Sequence, residues 1–423
     1  MCTTYLDTSV VEIDPSATVY HKRKAFYTLY EQPGIPQVSI AVIGYNQLAK
    51  TRYCVESILA HTMDIDYELI LIDCASDDET LVFFESVTHP NKQVIRLTKN
   101  LGLPFALLTA RRVYTGAYLC QVSNDVYVTH NWLHNLLAAY ESSPQIGLVA
   151  PMSNNVSNLQ WVNLPASNLT EMQQQAAVFN QPDPTKWEQR DRLITILILM
   201  HRSVVDHVGA FDLGFEHNYA DDDLSARLRR AGYHLVLCKD TYVHHDDDFS
   251  TKTGHPSYQA SLLAGERLFY QLHKVPPQFI VDPMPLRTQL IKRAISNPRE
   301  ILVINPGSGL GLKEMGQLFP QAVVNAYVTD PAYHVDAKSF AKRLYHRGKP
   351  IDRVFDLVVL GMPQSGFPEV PVYVIGGGVM VFTLQDSGQL AQIPDFYQDS
   401  DAGAVDMEQD PYTGHCHISI KLR

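Results

Sequence analysis

Apolar positions along this chain gather into short unbroken runs, separated by stretches in which apolar residues recur at helical spacing. Residues 38–43, 67–72, 94–97, 117–122, 146–151 and 193–200 are such runs. They are of strand length and rich in Val, Ile and Leu, as strands buried on both faces are. Between them the pattern changes. Residues 48–60 carry Tyr53, Ile58 and Leu59 on the helical 3.6-residue period. Further helices open after Ser76-Asp77-Asp78-Glu79-Thr80, near Pro104 and at Asn131-Trp132-Leu133, and one over 224–231 is closed by Gly232. Strands alternating with helices predict an α/β domain, with a mostly parallel sheet and helices on both faces.

Breaks in this pattern suggest domain limits. Residues 1–35 form a weakly patterned N-terminal segment, in which Lys22-Arg23-Lys24 with Tyr27 and Tyr30 suit a short helix. Pro33-Gly34-Ile35-Pro36 marks a boundary. The main domain is expected over 36–250. Within it, 153–189 is polar and of low periodicity, the pattern of a long irregular substrate loop. Short strands at 235–237 and 242–243 lead into His244-His245-Asp246-Asp247-Asp248. A helical extension and Pro-punctuated linker are expected over 251–297. A second βαβ pattern fills 298–423, with strands at 301–304, 323–328 and 355–360. The first of these strands is followed by Pro306-Gly307-Ser308-Gly309-Leu310-Gly311 and a helix around 312–319, and the second ends at Asp330.

Composition narrows the function classes. Of 423 residues, 45% are hydrophobic and 19% charged, so the chain is globular. A net charge of −11 without any Lys/Arg run argues against nucleic acid as a partner. Six cysteines without a CxxC pair suit buried free thiols in a reducing cytosol better than a disulfide framework. The first residues lack a basic segment followed by an apolar core, and the run at 193–200 is too short to span a bilayer. A cytoplasmic protein is expected, with peripheral membrane association as the other option.

The candidate chemistry begins at Asp125, where the run at 117–122 gives out before the next helix. Open α/β sheets bind ligands at the carboxyl ends of their strands, and a hard divalent cation prefers oxygen ligands that a diphosphate can complete. Alternatively, Asp125 only turns the chain into the helix. Asp73 ends the run at 67–72 in the same way and could equally cap its helix. Asp221, Asp222 and Asp223 precede a helix, where exposed amides favour acids, so at least one of them, with Asp223 first in line, is expected to be a cap. Arg111 and Arg112 suit a solvated helix face better than a phosphate clamp.

Several blocks in order then resemble an inverting family 2 glycosyltransferase of the GT-A fold, from about residue 38 to 247. They are Gly44-Tyr45-Asn46; Leu71-Ile72-Asp73 with Ser76, Asp78 and Thr80; Asn100-Leu101-Gly102; Ser123-Asn124-Asp125 with Thr129 and Trp132-Leu133; and Val208-Gly209-Ala210-Phe211-Asp212 followed by Asp221, Asp223, Leu224, Arg227 and Gly232. The resemblance implies an in-line displacement at the anomeric carbon of a nucleotide-diphosphate sugar, onto a hydroxyl of a glycan, lipid-linked or protein acceptor. It gives Asp73, Tyr45, Asn46, Ser76, Asn100, Asn124 and Asp125 to the donor. It gives a divalent cation, Mn2+ or Mg2+, to Asp125 with His244 or His245, and the place that supplies or adjoins the general base to Asp221, with Asp223 as second catalytic candidate. Ser123 stands at the first acidic position of the metal motif and Ala220 replaces the acid before Asp221. Those departures keep open a catalytically weakened nucleotide-sugar-binding protein.

Residues 301–360 resemble the core of a class I S-adenosylmethionine-dependent methyltransferase. Asp330 stands where nucleotide folds place a ribose-binding acid. Asn305, however, replaces the acid usual after the first strand. The expectation is a smaller Rossmann-like domain that shapes the acceptor side or a homo-oligomer interface and transfers no methyl group. A bifunctional glycosyltransferase/methyltransferase is the alternative.

Overall fold

The computed structural model describes residues 3–6, 37–215, 218–246, 256–273, 285–306, 310–329, 337–338, 340–346, 351, 353–360, 373–384, 402–409 and 416–422. The chain divides into two units, Met1–His273 and Lys274–Arg423. The division falls inside the stretch read as extension and linker. The suggested helix near Lys22, residues 307–309 of the glycine-rich turn, and Asp330 lie outside the described residues.

The first unit runs β1 (Thr4–Leu6), β2 (Val38–Gly44), α1 (Leu48–His61), β3 (Tyr67–Asp73), α2 (Thr80–Ser86), β4 (Lys92–Leu97), α3 (Leu103–Val113), β5 (Tyr118–Ser123), β6 (Val126–Tyr127), α4 (Trp132–Glu141) and β7 (Ile146–Ser153). It continues with α5 (Leu169–Phe179), β8 (Trp187–Arg190), β9 (Leu197–His201), α6 (Arg202–Val208), α7 (Ala220–Arg230), β10 (His234–His245) and α8 (Pro256–His273). Its sheet has the order β1-β4-β3-β2-β5-β9-β7-β10-β6, with β8 on β10. The β1-β4-β3-β2-β5 half is parallel, as the unbroken apolar runs require. The order reverses at β2, which has β3 on one side and β5 on the other. A crevice outside the carboxyl ends of the strands forms at such a switch point. Asp73 ends β3 and Asp125 follows β5, so the two flank it.

Local physics sets the crevice walls. β2 ends in Gly44, where a Cβ would lie 2.9 Å from Phe84 Cζ, so the glycine lets α2 pack closely. Asn46 and Gln47 both take positive φ, 56° and 60°, and turn the strand sharply into α1. Trp132 is fully buried and its indole donates to Thr62 Oγ1 at 3.1 Å, fixing α4 behind the Asp125 turn. Burying a side chain of this class contributes roughly 1.5–3 kcal/mol.

Several expectations are corrected. The apolar stretch 193–200 is not strand throughout: β9 begins at Leu197 and runs antiparallel between β5 and β7. The insertion at 153–189 is not irregular throughout, because α5 lies within it, capped by Asn168 Oδ1 accepting from Glu171 N at 2.9 Å. The two short strands near 235 and 243 are one strand, β10, with irregular register between Cys238 and Tyr242. There Asn180 Oδ1 accepts from Tyr242 N at 2.8 Å. Arg111 does not face solvent: it is buried, and its guanidinium meets Asp206 at 2.8 Å.

The second unit contains α9 (Pro285–Ala294), β11 (Glu300–Ile304), α10 (Leu310–Leu318), β12 (Val323–Val328), β13 (Leu344–His346), β14 (Val354–Leu360), β15 (Tyr373–Leu384), β16 (Ala402–Gln409) and β17 (Cys416–Leu422). Its order is β13-β12-β11-β14-β15-β17-β16. Five strands are parallel and β17 is antiparallel to both neighbours. It is a second, smaller α/β domain with a switch at β11.

Candidate functional site

On one side of the switch, Asp73 is fully buried. Its carboxylate pairs with Arg96 from β4 and accepts from Ser76 N at 3.3 Å. Arg96 also donates to Ser76 O at 3.1 Å. Ser76 Oγ accepts from Asn46 N at 2.9 Å, and Asn46 Oδ1 accepts from Asp77 N at 2.8 Å. Asp78 accepts from Leu48 N and Thr80 N, both at 3.0 Å. Partial burial would raise the Asp78 carboxyl, but these bonds and the Thr80 hydroxyl hold it below its ordinary value. The turns after β2 and β3 are thus one hydrogen-bonded rim. Asn124 joins it from β5, donating to Thr51 Oγ1 at 2.7 Å and Asn46 O at 3.4 Å. Tyr45 is 44% exposed at the mouth. Asn100 is exposed, and its side chain accepts from Gly102 N at 2.9 Å, shaping the turn into α3.

On the other side, β6 pairs antiparallel with β10, setting Val126 opposite His245 and Tyr127 opposite His244. This register brings Asp125, one residue before Val126, beside His245, with Oδ1 3.6 Å from Nε2. His245 Nδ1 lies 2.7 Å from Asn155 O, which can only accept, so Nδ1 carries the proton. In the neutral ring Nε2 then turns a lone pair toward Asp125. Asn154 grips the His245 backbone from both sides, accepting from its N at 2.8 Å and donating to its O at 3.3 Å. His244 alternates to the opposite face, stacks on Tyr127 and meets Tyr242 OH at 3.1 Å. Burial lowers its pKa. Of the two histidines, His245 is therefore the one beside Asp125. The next residue, Asp246, accepts from Tyr127 OH at 2.6 Å and pairs with Lys50 at 3.6 Å.

A carboxylate oxygen and an imidazole nitrogen facing each other suit a borderline or hard divalent ion, with other positions left to phosphate oxygens and water. The fit is to a two-ligand protein site: among the described residues no group of three or more His, Cys, Asp or Glu is arranged to hold a metal.

The acidic triplet separates by function. Helix α7 begins at Ala220, so all three acids lie in its first turn. Asp221 is half-buried, and Thr195 Oγ1 donates to its Oδ1 at 2.5 Å. One residue on, Ile196 O accepts from Ser123 N at 3.0 Å, which ties Asp221 to the end of β5. Asp222 is buried against Arg192 at 3.1 Å. Burial pushes its carboxyl up to about 6, Arg192 opposes this, and the Asp221 charge adds to it. Asp223 is no surface cap. It is buried, its Oδ2 accepts from Arg227 Nε at 2.9 Å and Nη2 at 2.7 Å, and its Oδ1 lies 2.9 Å from His273 Nε2. Burial would raise it, but Arg227 and His273 hold it well below the usual carboxylate range. Its contacts make it a structural hub.

Sequence reasoning passed over Arg96, Thr195, Arg192, Lys50 and His273. A charge at the buried acid Asp73 demanded a partner, which is the one signal that pointed toward Arg96.

Residues 39–205 match the family model described as Glycosyl transferase family 2. The match includes Asp73 and Asp125 and stops before Asp221 and His245. Chondroitin synthase of Escherichia coli is 29% identical over 124 residues, which span 29% of this chain and 18% of that protein. A mannosyltransferase from Pyrobaculum calidifontis, solved in complex with GDP-Man and Mn2+, aligns at 16% identity and a TM-score of 0.38, over 65% of this chain and 86% of that one. The likeness to glycosyltransferases in the family model lies within the first unit.

Proposed function

We propose that the first unit transfers a sugar from a nucleoside-diphosphate donor to a hydroxyl acceptor, with inversion at the anomeric carbon and with the help of a divalent cation. What supports this reading is the placement of Asp73 at the end of β3 and of Asn124 and Asp125 just after β5, on either side of the switch strand, within a segment matching a glycosyltransferase family, with Asp221 tied to the end of β5 through Thr195 and Ile196. The rim formed by Asn46, Asp73 and Ser76 receives the nucleoside. Arg96 pairs with the buried Asp73 carboxylate and so fixes the turn that presents this rim. Tyr45 lies at the mouth, where its exposed ring can cover the nucleoside.

Asp125 and His245 would hold the cation. When bound, it would neutralise charge on the leaving diphosphate. Asp221 serves as general base, taking the acceptor hydroxyl's proton as its oxygen attacks the anomeric carbon and the diphosphate departs. Thr195 orients that carboxylate. Loss of an acid at Ser123 and Ala220 leaves this machinery sparser than the motif pattern implies.

The test is a panel of nucleotide sugars, scored by melting temperature and then by release of nucleoside diphosphate with and without Mn2+. A ligand that binds only the folded state raises the melting point. One donor that both stabilises the protein and is turned over in Mn2+ supports the reading. A donor that stabilises without turnover favours a binding protein. No stabilisation by any nucleotide sugar refutes it.

For the second unit a non-transferring Rossmann-like domain is the reading we favour. At the end of β11 Asn305 takes φ 48°, and its Oδ1 accepts from Thr329 N at 2.9 Å and Thr329 Oγ1 at 3.0 Å. The side chain standing in the usual acid's place is thereby engaged in tying two strand ends together. Calorimetric titration with S-adenosylmethionine decides this. Absence of binding supports it, and micromolar binding lost on Asp330→Ala overturns it.

A further inference from the structure

Helix α8 lies beyond the matched segment, yet it grips α7 on both sides of Asp221. On the near side, Tyr219 holds the helix N-cap position at φ 66°, with no side-chain cap. Such a strained residue persists only where its surroundings over-determine it, and α8 supplies them. Gly265 packs so closely that a Cβ would lie 2.7 Å from Asn218 O and 2.8 Å from Tyr219 Cδ2. Asn218 donates to Ser261 Oγ at 3.2 Å, and the Tyr219 and Phe269 rings meet at 6.5 Å.

On the far side stands His273, buried and packed on Phe269 at 4.4 Å between ring centroids. Arg230 Nη1 reaches His273 Nδ1 at 2.9 Å. A guanidinium can only donate, so Nδ1 accepts and Nε2 carries the proton that it donates to Asp223 Oδ1. The other Asp223 oxygen is taken by Arg227, which also donates to Val208 O at 2.8 Å and Ala210 O at 2.7 Å. The tautomer is set by one arginine and the carboxylate by another.

We propose that His273 and Gly265 are positioning residues for the general base. By holding Asp223 on one side and Asn218-Tyr219 on the other, α8 fixes the height and rotation of the first turn of α7, and so the direction in which Asp221 faces. The inference rests on the reading of Asp221 as the base. It makes the helix after the glycosyltransferase domain part of the acceptor-activating machinery, without contact with substrate.

The test compares full-length wild type, His273→Ala, His273→Gln and Gly265→Ala by kcat, donor KM and hydrogen exchange over residues 218–224. Misplacing a catalytic group by about 1 Å can cost ~100-fold in rate, and loss of a supporting partner typically costs ~10–100-fold. His273→Ala and Gly265→Ala are expected to lower kcat on that scale and leave donor KM within about twofold. Both should speed exchange over 218–224. His273→Gln, whose amide nitrogen can donate from near the Nε2 position, should recover most of the rate and protection. Unchanged exchange in His273→Ala, or a kcat within about twofold of wild type, overturns the proposal. If exchange responds as expected while wild type turns over no nucleotide sugar, the glycosyl-transfer reading fails and the grip of α8 on α7 stands.

Discussion

His245 Nε2 and Asp125 Oδ1 face one another across 3.6 Å at the meeting of β6 and β10. The gap is longer than a hydrogen bond, and the His245 proton is committed to Asn155 O. With the ring neutral, two electron-rich atoms held this way would hold the cation of the proposed mechanism. Asp125→Ala removes the anionic half of this pair. Transfer in Mn2+ is expected to fall at least ~100-fold, the scale on which charge stabilisation at a reacting centre acts. Chelator should do the same to wild type. Undiminished turnover in either case would remove the metal from the mechanism.

Asp221 and Asp223 should respond differently to the same substitution. Asp221→Asn keeps size and hydrogen bonding but cannot take a proton, so kcat collapses with donor affinity and melting temperature unchanged. Asp223→Asn strips the charge that Arg227 and His273 enclose, and the fold should suffer. Breaking a buried pair costs about 3–5 kcal/mol. Urea unfolding beside a kinetic assay distinguishes the two. A dead but fully stable Asp223→Asn would reverse the assignment.

Asp222 should leave a mark on the pH dependence of stability. Its folded pKa of about 6 lies above the ordinary 3.8, so the native state holds a proton there that the unfolded state releases. The native state binds more protons between these values, and stability therefore falls as pH rises from about 4 to about 6, then levels. Asp223 acts in the opposite sense: its pKa is depressed, and its contribution is lost only as pH falls through and below 3.8. Asp222→Asn should gain on wild type as pH rises across the upper window, by on the order of 2–3 kcal/mol for a shift of this size. Urea melts at intervals of pH would show it. A difference that stays flat from pH 4 to 7 would contradict it.

Arg96→Ala leaves the Asp73 carboxylate buried without its guanidinium. The expected loss is about 3–5 kcal/mol, together with weaker nucleotide binding, since Ser76 loses its donor from Arg96 as well. Equilibrium unfolding measures the first and calorimetry with nucleoside diphosphate the second. A loss below about 1 kcal/mol would mean that the pair behaves like a surface ion pair.

Much of the first unit is legible in the sequence. Strands buried on both faces must be apolar throughout, so β2, β3 and β5 announce themselves, and the polar residues that break those runs are the crevice residues Asn46, Asp73 and Asp125. Local chemistry was enough there because each motif is continuous along the chain. The antiparallel insertion of β9 was not legible, since an apolar run carries no sign of direction. The helix α5 had a readable cap at Asn168, but its weak apolar period hid it among polar residues.

What only the tertiary structure decided was pairing. His244 and His245 are equivalent in sequence; the register of β6 on β10 turns one toward Asp125 and stacks the other on Tyr127. Asp221, Asp222 and Asp223 are identical side chains in one helical turn, and their roles diverge because Thr195, Arg192 and His273 arrive from separate elements. A chain determines its own periodicity, turns and caps through neighbours a few residues apart. The charge a carboxylate carries, and the atom it faces, depend on groups tens of residues away, brought near only when the sheet closes and the helices dock.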